Sequence, residues 1–472
     1  MDDDARRPPA LPVPEVGPFR RSFWKSPLRG PWLASFLSSA LLPLIVICAL
    51  TGFLSHAAYN PGLGDNALFD EGVDLYFFDW PTGPSWLYVL TQGLHIITGL
   101  AAIPILLAKL WAVIPQLFER PTARSVAHAL ERLGLALLVG GSLFVFATGV
   151  LNIQIYYPFG FSFVPAHYYA SFVFLAALAF HIVTKVGVMR AAFRERGVLR
   201  PLREDLAHTE PEPGLEGRHT SAPAAAAPPT MTRRLLLGTV GVGSAALAAM
   251  GTGQVVGGPL RKLALLSPRG ENFGDGPNDF QVNKTAEAAK IGMDKVGPDW
   301  RLTLEVGEQR RAQLTRDELL AMEQVTAELP IACVEGWSTT QTWTGVRLSE
   351  LARVARAAEG AELQVVSVQP AGVLRQATLT GDQVAAEDSL LALKVNGADL
   401  SLDHGFPARV IVPALPGVHN TKWVGTMVFA EAKDSASLPN PSGGGAKDSA
   451  SVPNPSGGGA KDSASVPNPS GA

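Results

Sequence analysis

Cysteine is nearly missing from this chain: Cys48 and Cys333 are the two in 472 residues, so no disulfide framework can staple its parts. Charge is scarce too. Only 17% of residues are charged against 47% hydrophobic, which excludes a single soluble unit of this length and points to a membrane part. The net charge is −3 and no basic patch is interleaved with aromatics, which argues against a nucleic-acid partner. The apolar runs show no inverted repeat or broken-helix signal, so a transporter is disfavoured as well.

What the chain does contain falls into blocks. Residues 1–30 are rich in Pro and Arg and read as a flexible cytoplasmic tail. Four apolar segments follow at 32–54, 86–108, 133–151 and 167–189, each near the roughly 20 residues that span a bilayer. They define a four-helix membrane domain over 31–192. Its flanks orient it: Arg20, Arg21, Lys25 and Arg29 precede the first span, Lys109, Arg120 and Arg124 follow the second, and Lys185, Arg190, Arg194, Arg196 and Arg200 follow the fourth. The connections 56–84 and 152–166 lack Lys and Arg, so both ends of the four-helix unit are expected in the cytoplasm. Residues 193–230 read as a Pro-, Ala- and Glu-rich linker, and 231–260 as a fifth, weakly apolar span. From Ala432 onward a 14-residue Pro- and Gly-rich repeat runs to the end and cannot bury a core.

Histidine within lipid is costly and usually functional. His167 and His181 lie 14 residues apart on the fourth span, almost four full turns, hence on one face and roughly 21 Å apart along the axis. His95 lies within the second span, with Gly99 one turn on, and His56 ends the first. Paired histidines at matched depth are a common way to hold haem iron. Depth alone pairs His56 with His167 and His95 with His181; His95 with His167 is the alternative, and one haem instead of two stays open. The pattern resembles bacterial four-helix di-haem b-type cytochromes, which favour the alternative pairing. Those relatives carry a further ligand near the cytoplasmic start of the first span, where this chain has no histidine. Cys48, mid-helix, reads as packing, and His128 as a solvated helix start.

Beyond residue 270, Cys333 stands in Ile331-Ala332-Cys333-Val334-Glu335-Gly336-Trp337-Ser338. Asn396-Gly397 is a turn signal, and His404-Gly405 precedes Arg409, which opens the apolar run Val410-Ile411-Val412 and can present a guanidinium fork to a phosphate. Together these segments resemble the molybdenum-cofactor domain of the sulfite oxidase family, over roughly residues 270–430. The resemblance implies Cys333 as catalytic molybdenum ligand, a pterin and phosphate held at His404, Arg409 and Lys422, and Asn283 near the metal. Sulfite-oxidising members follow the cysteine with arginines, whereas this chain has Glu335, which would repel sulfite if it faced the pocket. The pattern Cys-Val-Glu-x-Trp-Ser is closer to the periplasmic methionine sulfoxide reductase subunit, and here too nothing domain-sized follows Trp423. Trp337, Trp343 and Arg375 are candidate pocket walls, with the core an equal alternative for the aromatics. Strands are expected at Arg301–Val306 and Ala408–Pro413, and a helix at Arg347–Ala358.

The fold class expected is therefore an all-α transmembrane bundle, four helices plus a fifth span, followed by an α+β molybdopterin domain at 270–431. Thr232-Arg233-Arg234 before the fifth span resembles a Tat signal placed internally. A route that exports folded protein suits a cofactor inserted in the cytoplasm, and it places the catalytic domain outside a bacterial cytoplasmic membrane. Molybdenum works in two-electron steps and haem b in single ones, so the expectation is an oxidoreductase linking a small-molecule or side-chain substrate to quinone. Reduction of a sulfoxide and oxidation of sulfite feeding quinone are the two directions. A non-catalytic haem protein with a pterin-free docking domain is the rival from another class.

Overall fold

The computed structural model describes residues 23–58, 80–118, 125–212, 226–269, 273, 276–372 and 375–431. The acidic residues at 65–79, Arg20, Arg21, Arg120, Arg124 and the C-terminal repeats lie outside them. The chain divides into two compact units, and the division cuts across its long helices. Unit 1 holds residues 1–47, 98–146 and 169–248; unit 2 holds 48–97, 147–168 and 249–472.

Five helices are long and apolar enough to cross a membrane: α1 Pro31–Ala57, α2 Leu87–Leu117, α3 Val126–Ile153, α4 Phe163–Arg196 and α5 Arg233–Val256. α1, α3 and α4 contain the expected 32–54, 133–151 and 167–189, α2 begins one residue inside the expected 86–108 and runs beyond it, and α5 lies within the expected 231–260. Leu42, Val46, Leu50, Leu107, Leu143 and Val183 are among the large apolar side chains that these helices expose, a surface suited to lipid. His128 lies in the first turn of α3, as the neighbouring Glu131 and Arg132 suggested.

In unit 1 the helix segments pack around Trp32, Leu33, Leu37, Leu41, Ala102, Leu106 and Phe174. Glu212 folds back onto the start of α1, where its carboxylate accepts the Trp32 and Leu33 backbone N–H groups at 2.6 and 3.2 Å. These donors have no partner within the helix, and an anion there also meets the positive end of the helix dipole.

Unit 2 contains the α+β region. In chain order its elements are α6 Met293–Val296, β1 Leu302–Val306, β2 Gln309–Leu314, α7 Arg316–Ala321, β3 Val325–Ala332, β4 Ser338–Arg347, α8 Leu348–Ala355, β5 Leu363–Ser367, β6 Gln376–Leu379, α9 Gly381–Ala385, β7 Leu390–Val395, β8 Ala398–Asp399, β9 Arg409–Ile411 and β10 Val424–Phe429. One sheet runs β2-β1-β10-β5-β6, with β1 and β10 parallel; the other runs β3-β4-β7-β8, with β9 also paired to β7. Alternation of buried and half-buried residues marks β1 and β5 as one-sided strands, whereas β7 is buried along most of its length. Capping boxes from Thr315 with Glu318 and from Thr380 with Gln383 start α7 and α9. Asn396 and Gly397 both take positive φ, 50° and 82°, and make the two-residue turn from β7 to β8 that the dipeptide signals.

Gly345 fixes how closely β4 approaches β7. A Cβ there would collide with the Leu391 carbonyl oxygen, at the point where the β4–β7 register shifts. Backbone cannot yield as a side-chain tip can, so Gly345→Ala should destabilise the domain by about 1–3 kcal/mol, read as a lower thermal midpoint by calorimetry.

Candidate functional site

Cys333 sits at the tip of the β3–β4 hairpin. Ala332 pairs with Ser338, and the five residues between close as a tight loop in which Cys333 N–H donates to Trp337 O at 2.8 Å and Gly336 N–H to Cys333 O at 3.0 Å. Gly336 permits the loop by adopting φ +87°. The side chain is buried, 5% exposed, and burial together with the nearby Glu335 carboxylate pushes the thiol well above its ordinary range.

Glu335 does not stand as a bare charge. Arg269 binds it through two bonds of 2.6 Å from Nε and Nη2, and Trp337 Nε1 adds a third at 2.9 Å. The expected repulsion of an anion is thereby offset by a guanidinium that motif reading missed, because Arg269 lies 66 residues away in a segment without a recognisable pattern. Tyr157 lies within electrostatic range of Cys333, Glu335 and Arg269, and burial raises its phenol.

The second segment converges on the same region. An isolated bridge ties Ala332 to Pro416, beside the turn that carries Asn420, Thr421 and Lys422. Val410 N–H donates to Thr421 O, which fixes that turn against β9 and hence against Arg409. Lys422 Nζ donates to Lys284 O and Asp403 O at 2.8 and 2.9 Å. Burial and the neighbouring Arg409 lower the Lys422 ammonium well below its usual value, and burial takes Arg409 down to about 10. His404 stacks on Phe280 at 3.7 Å and its Nε2 donates to Asn278 O at 2.9 Å. Burial, Arg409 and Lys422 hold its imidazole at about 3, so the ring is neutral. Gly405 lets these groups crowd together: a Cβ there would lie 3.1 Å from Lys422 Cβ and 3.2 Å from Arg409 Cβ.

The remaining candidates separate. Asn283 is half-buried and its Oδ1 accepts the Lys284 N–H at 2.9 Å, next to the carbonyl that Lys422 bonds. Trp337 lines the Cys333 loop. Trp343 takes the core alternative, fully buried and edge-on to Phe280, with the Arg409 guanidinium 5.7 Å from its ring centroid. Arg375 is exposed.

Of the four histidines, unit 2 brings His95 and His167 together, with ring centroids 5.9 Å apart and planes at 86°. His95 Nδ1 is 2.8 Å from Cys48 O, and His167 Nδ1 is 3.2 Å from Thr148 Oγ1. Gly52 and Gly149 abut the two rings; a Cβ would lie 2.7 Å from His95 Nδ1 and 3.3 Å from His167 Cε1. His56 stacks on Tyr168 at 3.7 Å. His181 belongs to unit 1, so the depth-based pair His95 with His181 is divided between the units.

Residues 290–437 match the model of the oxidoreductase molybdopterin binding domain. The C-terminal region carries a molybdopterin-binding oxidoreductase domain of the sulfite oxidase type. Its relatives include an uncharacterised oxidoreductase, YuiH, of Bacillus subtilis, 31% identical over 119 residues, 25% of this chain and 59% of that protein. The mitochondrial sulfite oxidase of Rattus norvegicus is 30% identical over 144 residues, 29% of this chain and 24% of that protein. The NADPH nitrate reductase of Aspergillus niger is 25% identical over 186 residues, 34% of this chain and 21% of that protein. The chain thus spans between about a fifth and three-fifths of the length of these relatives.

The residues of the molybdopterin-binding domain fit the group its family implies. Among the described residues, His404 Nδ1, Arg409 Nε, Asn420 Nδ2, Thr421 Oγ1 and Gln369 Nε2 are buried polar atoms with no protein partner. Arg409 and Lys422 are 5% and 8% exposed, and their hydrogen bonds go to backbone carbonyls: His404 O for Arg409, Lys284 O and Asp403 O for Lys422. Buried donors and cations left over in one region are costly unless a polar, anionic group completes them. A pterin phosphate has that chemistry.

Arg409→Ala or Lys422→Ala should lower cofactor occupancy roughly tenfold or more, the scale of one charge-assisted bond, measured as molybdenum per chain. The His404 imidazole yields a second expectation. Its proton affinity is depressed from 6.5 to about 3 in the folded state, so between those values the unfolded chain binds more protons. Stability of the cofactor-free protein should therefore fall as pH drops from about 6.5 towards 3, and His404→Gln should flatten that slope in an acid titration of the thermal midpoint.

Proposed function

We propose that the chain is a membrane-anchored molybdopterin oxidoreductase that passes electrons between a substrate at Cys333 and quinone, through b-type haem held by His95 and His167. One observation carries this reading: within unit 2 the Cys333 loop packs on the helix that carries His95. A Cβ on Gly336 would lie 2.5 Å from Cδ1 of Ile96, the residue after His95, and 3.4 Å from Ile153 Cγ2.

The histidine geometry supports haem. A metal-bound imidazole gives its other ring nitrogen to a carbonyl or hydroxyl, and Cys48 O and Thr148 Oγ1 stand where those partners are needed. The two rings, with centroids 5.9 Å apart, are the pair that would hold the haem iron. The five apolar helices support a place in a bilayer, where quinone dissolves.

Molybdopterin, when bound, supplies two-electron redox chemistry at a metal that takes Cys333 as thiolate. The protein's own groups set what approaches. Arg269 neutralises Glu335, Trp337 closes one side, and the result is a polar, uncharged wall beside Cys333. Such a wall suits a neutral dipolar substrate better than an oxyanion, which favours reduction of a sulfoxide by quinol: sulfoxide, two electrons and two protons give sulfide and water. Sulfite oxidation feeding quinone is the competing direction, and the sulfite oxidases among the relatives are its support.

Redox-monitored optical spectra of membranes, with sulfoxide and sulfite added in turn, test both. Haem pre-reduced by quinol should be oxidised by a sulfoxide; haem reduction by sulfite would establish the opposite direction. His95→Ala and His167→Ala should each abolish most haem absorbance while leaving molybdenum per chain unchanged, and loss of haem in His56→Ala alone would move the iron elsewhere.

A further inference from the structure

Helix α5 carries the twin arginines, and each of its ends is built into the unit that contains it. In unit 1 the Arg233 guanidinium is fully enclosed: Nη1 binds Glu204 at 2.7 Å, Nη2 binds the carbonyls of Pro27 and Glu210 at 3.0 and 2.8 Å, and Nε lies 3.7 Å from Glu212. Glu212 is the carboxylate that caps α1, so Arg233 completes the junction of three chain segments. Arg234, by contrast, is exposed.

In unit 2 the other end of α5 meets the Cys333 loop. Gln254 Nε2 donates to Glu335 O at 3.3 Å, Ser338 Oγ donates to the Val255 carbonyl, and a Cβ on Gly257 would lie 2.9 Å from Ser338 O. Val255 also packs on α2, its Cγ1 standing 2.6 Å from where a Cβ on Gly93 would be. The chain then folds back on the helix end, so close that a Cβ on Gly253 would be 2.7 Å from Leu260 O, and runs on to Arg269 on Glu335.

We infer that Arg233–Val256 is a permanent fifth helix rather than a removable export signal, and that Gln254, Val255 and Arg269 position the loop that carries Cys333. A removable signal must offer its arginines to a receptor and then be severed from the mature domain. Here the first arginine is sealed into an ion cluster, and severing the helix would strip two of the three supports from the Cys333 loop. The positioning role rests on Cys333 as the metal ligand; retention of the helix does not.

The experiment is made on the full chain purified from membranes. Intact mass should show one uncut polypeptide, and a product that begins after α5 would overturn the inference whatever its metal content. An uncut chain free of molybdenum would instead sink the proposed function and leave the fifth helix standing. Hydrogen exchange at the amides of 333–338 then tests positioning in the holoenzyme, with molybdenum per chain measured alongside. Gln254→Ala and Arg269→Gln should speed that exchange about tenfold, the effect of losing one loop-fixing bond, and Arg269→Lys should restore part of it. Ser338→Ala removes a single hydroxyl contact and serves if the others fail to fold. Arg234→Gln should change nothing in the loop. Unchanged exchange in all three loop variants would overturn the positioning role.

Discussion

Arg409 and Lys422 hold two cations in a compartment nearly closed to water, and the rest of the catalytic half depends on that arrangement. Taking such groups out of water costs several kcal/mol each unless an anion meets them. Burial depresses both, the Arg409 charge depresses Lys422 further, and burial with these two cations keeps the nearby His404 ring neutral. The backbone concentrates the demand: Gly405 at φ +110° brings Lys422 and Arg409 side by side, and the β9 ladder ties Arg409 to β7. A region so rich in unspent donors is incomplete as protein alone. That is the physical content of its match to a molybdopterin-binding domain.

The Cys333 loop inverts this logic on its other side. Cys333 lies within electrostatic range of Arg409 and Lys422 and also sits beside a carboxylate, which is itself chelated by Arg269. Arg269, Glu335 and Trp337 close into a local set in which cation and anion offset each other. The guanidinium beside the Cys333 loop comes from a segment 66 residues away in the chain. Sequence distance and functional distance part company here.

Ion pairing serves a different end in unit 1. Glu212 and Arg233 join the start of α1 to the start of α5, where a helix terminus has exposed donors and a positive dipole to satisfy. The first of the twin arginines is thus buried in an ion cluster of the folded chain.

Much was legible beforehand, for definite reasons. Long apolar runs marked the five helices because a bilayer-spanning segment needs no partner to declare itself. Asn396-Gly397 announced its turn because few dipeptides accept two positive φ values. Cys333, His404, Arg409 and Lys422 were named by motif, and the fold brings them to one region. The rest emerged only in the folded chain. Helix rotation, which depth along an axis does not specify, set His95 opposite His167 and His56 against Tyr168. Strand facing sent Trp343 into the core. Arg269, Gln254, Cys48 O and the glycines at 52 and 149 found their partners only through contacts between residues far apart in the chain, which no local pattern encodes. Residue types and their spacing settle which chemistry the chain can carry; packing settles which side chains stand next to it.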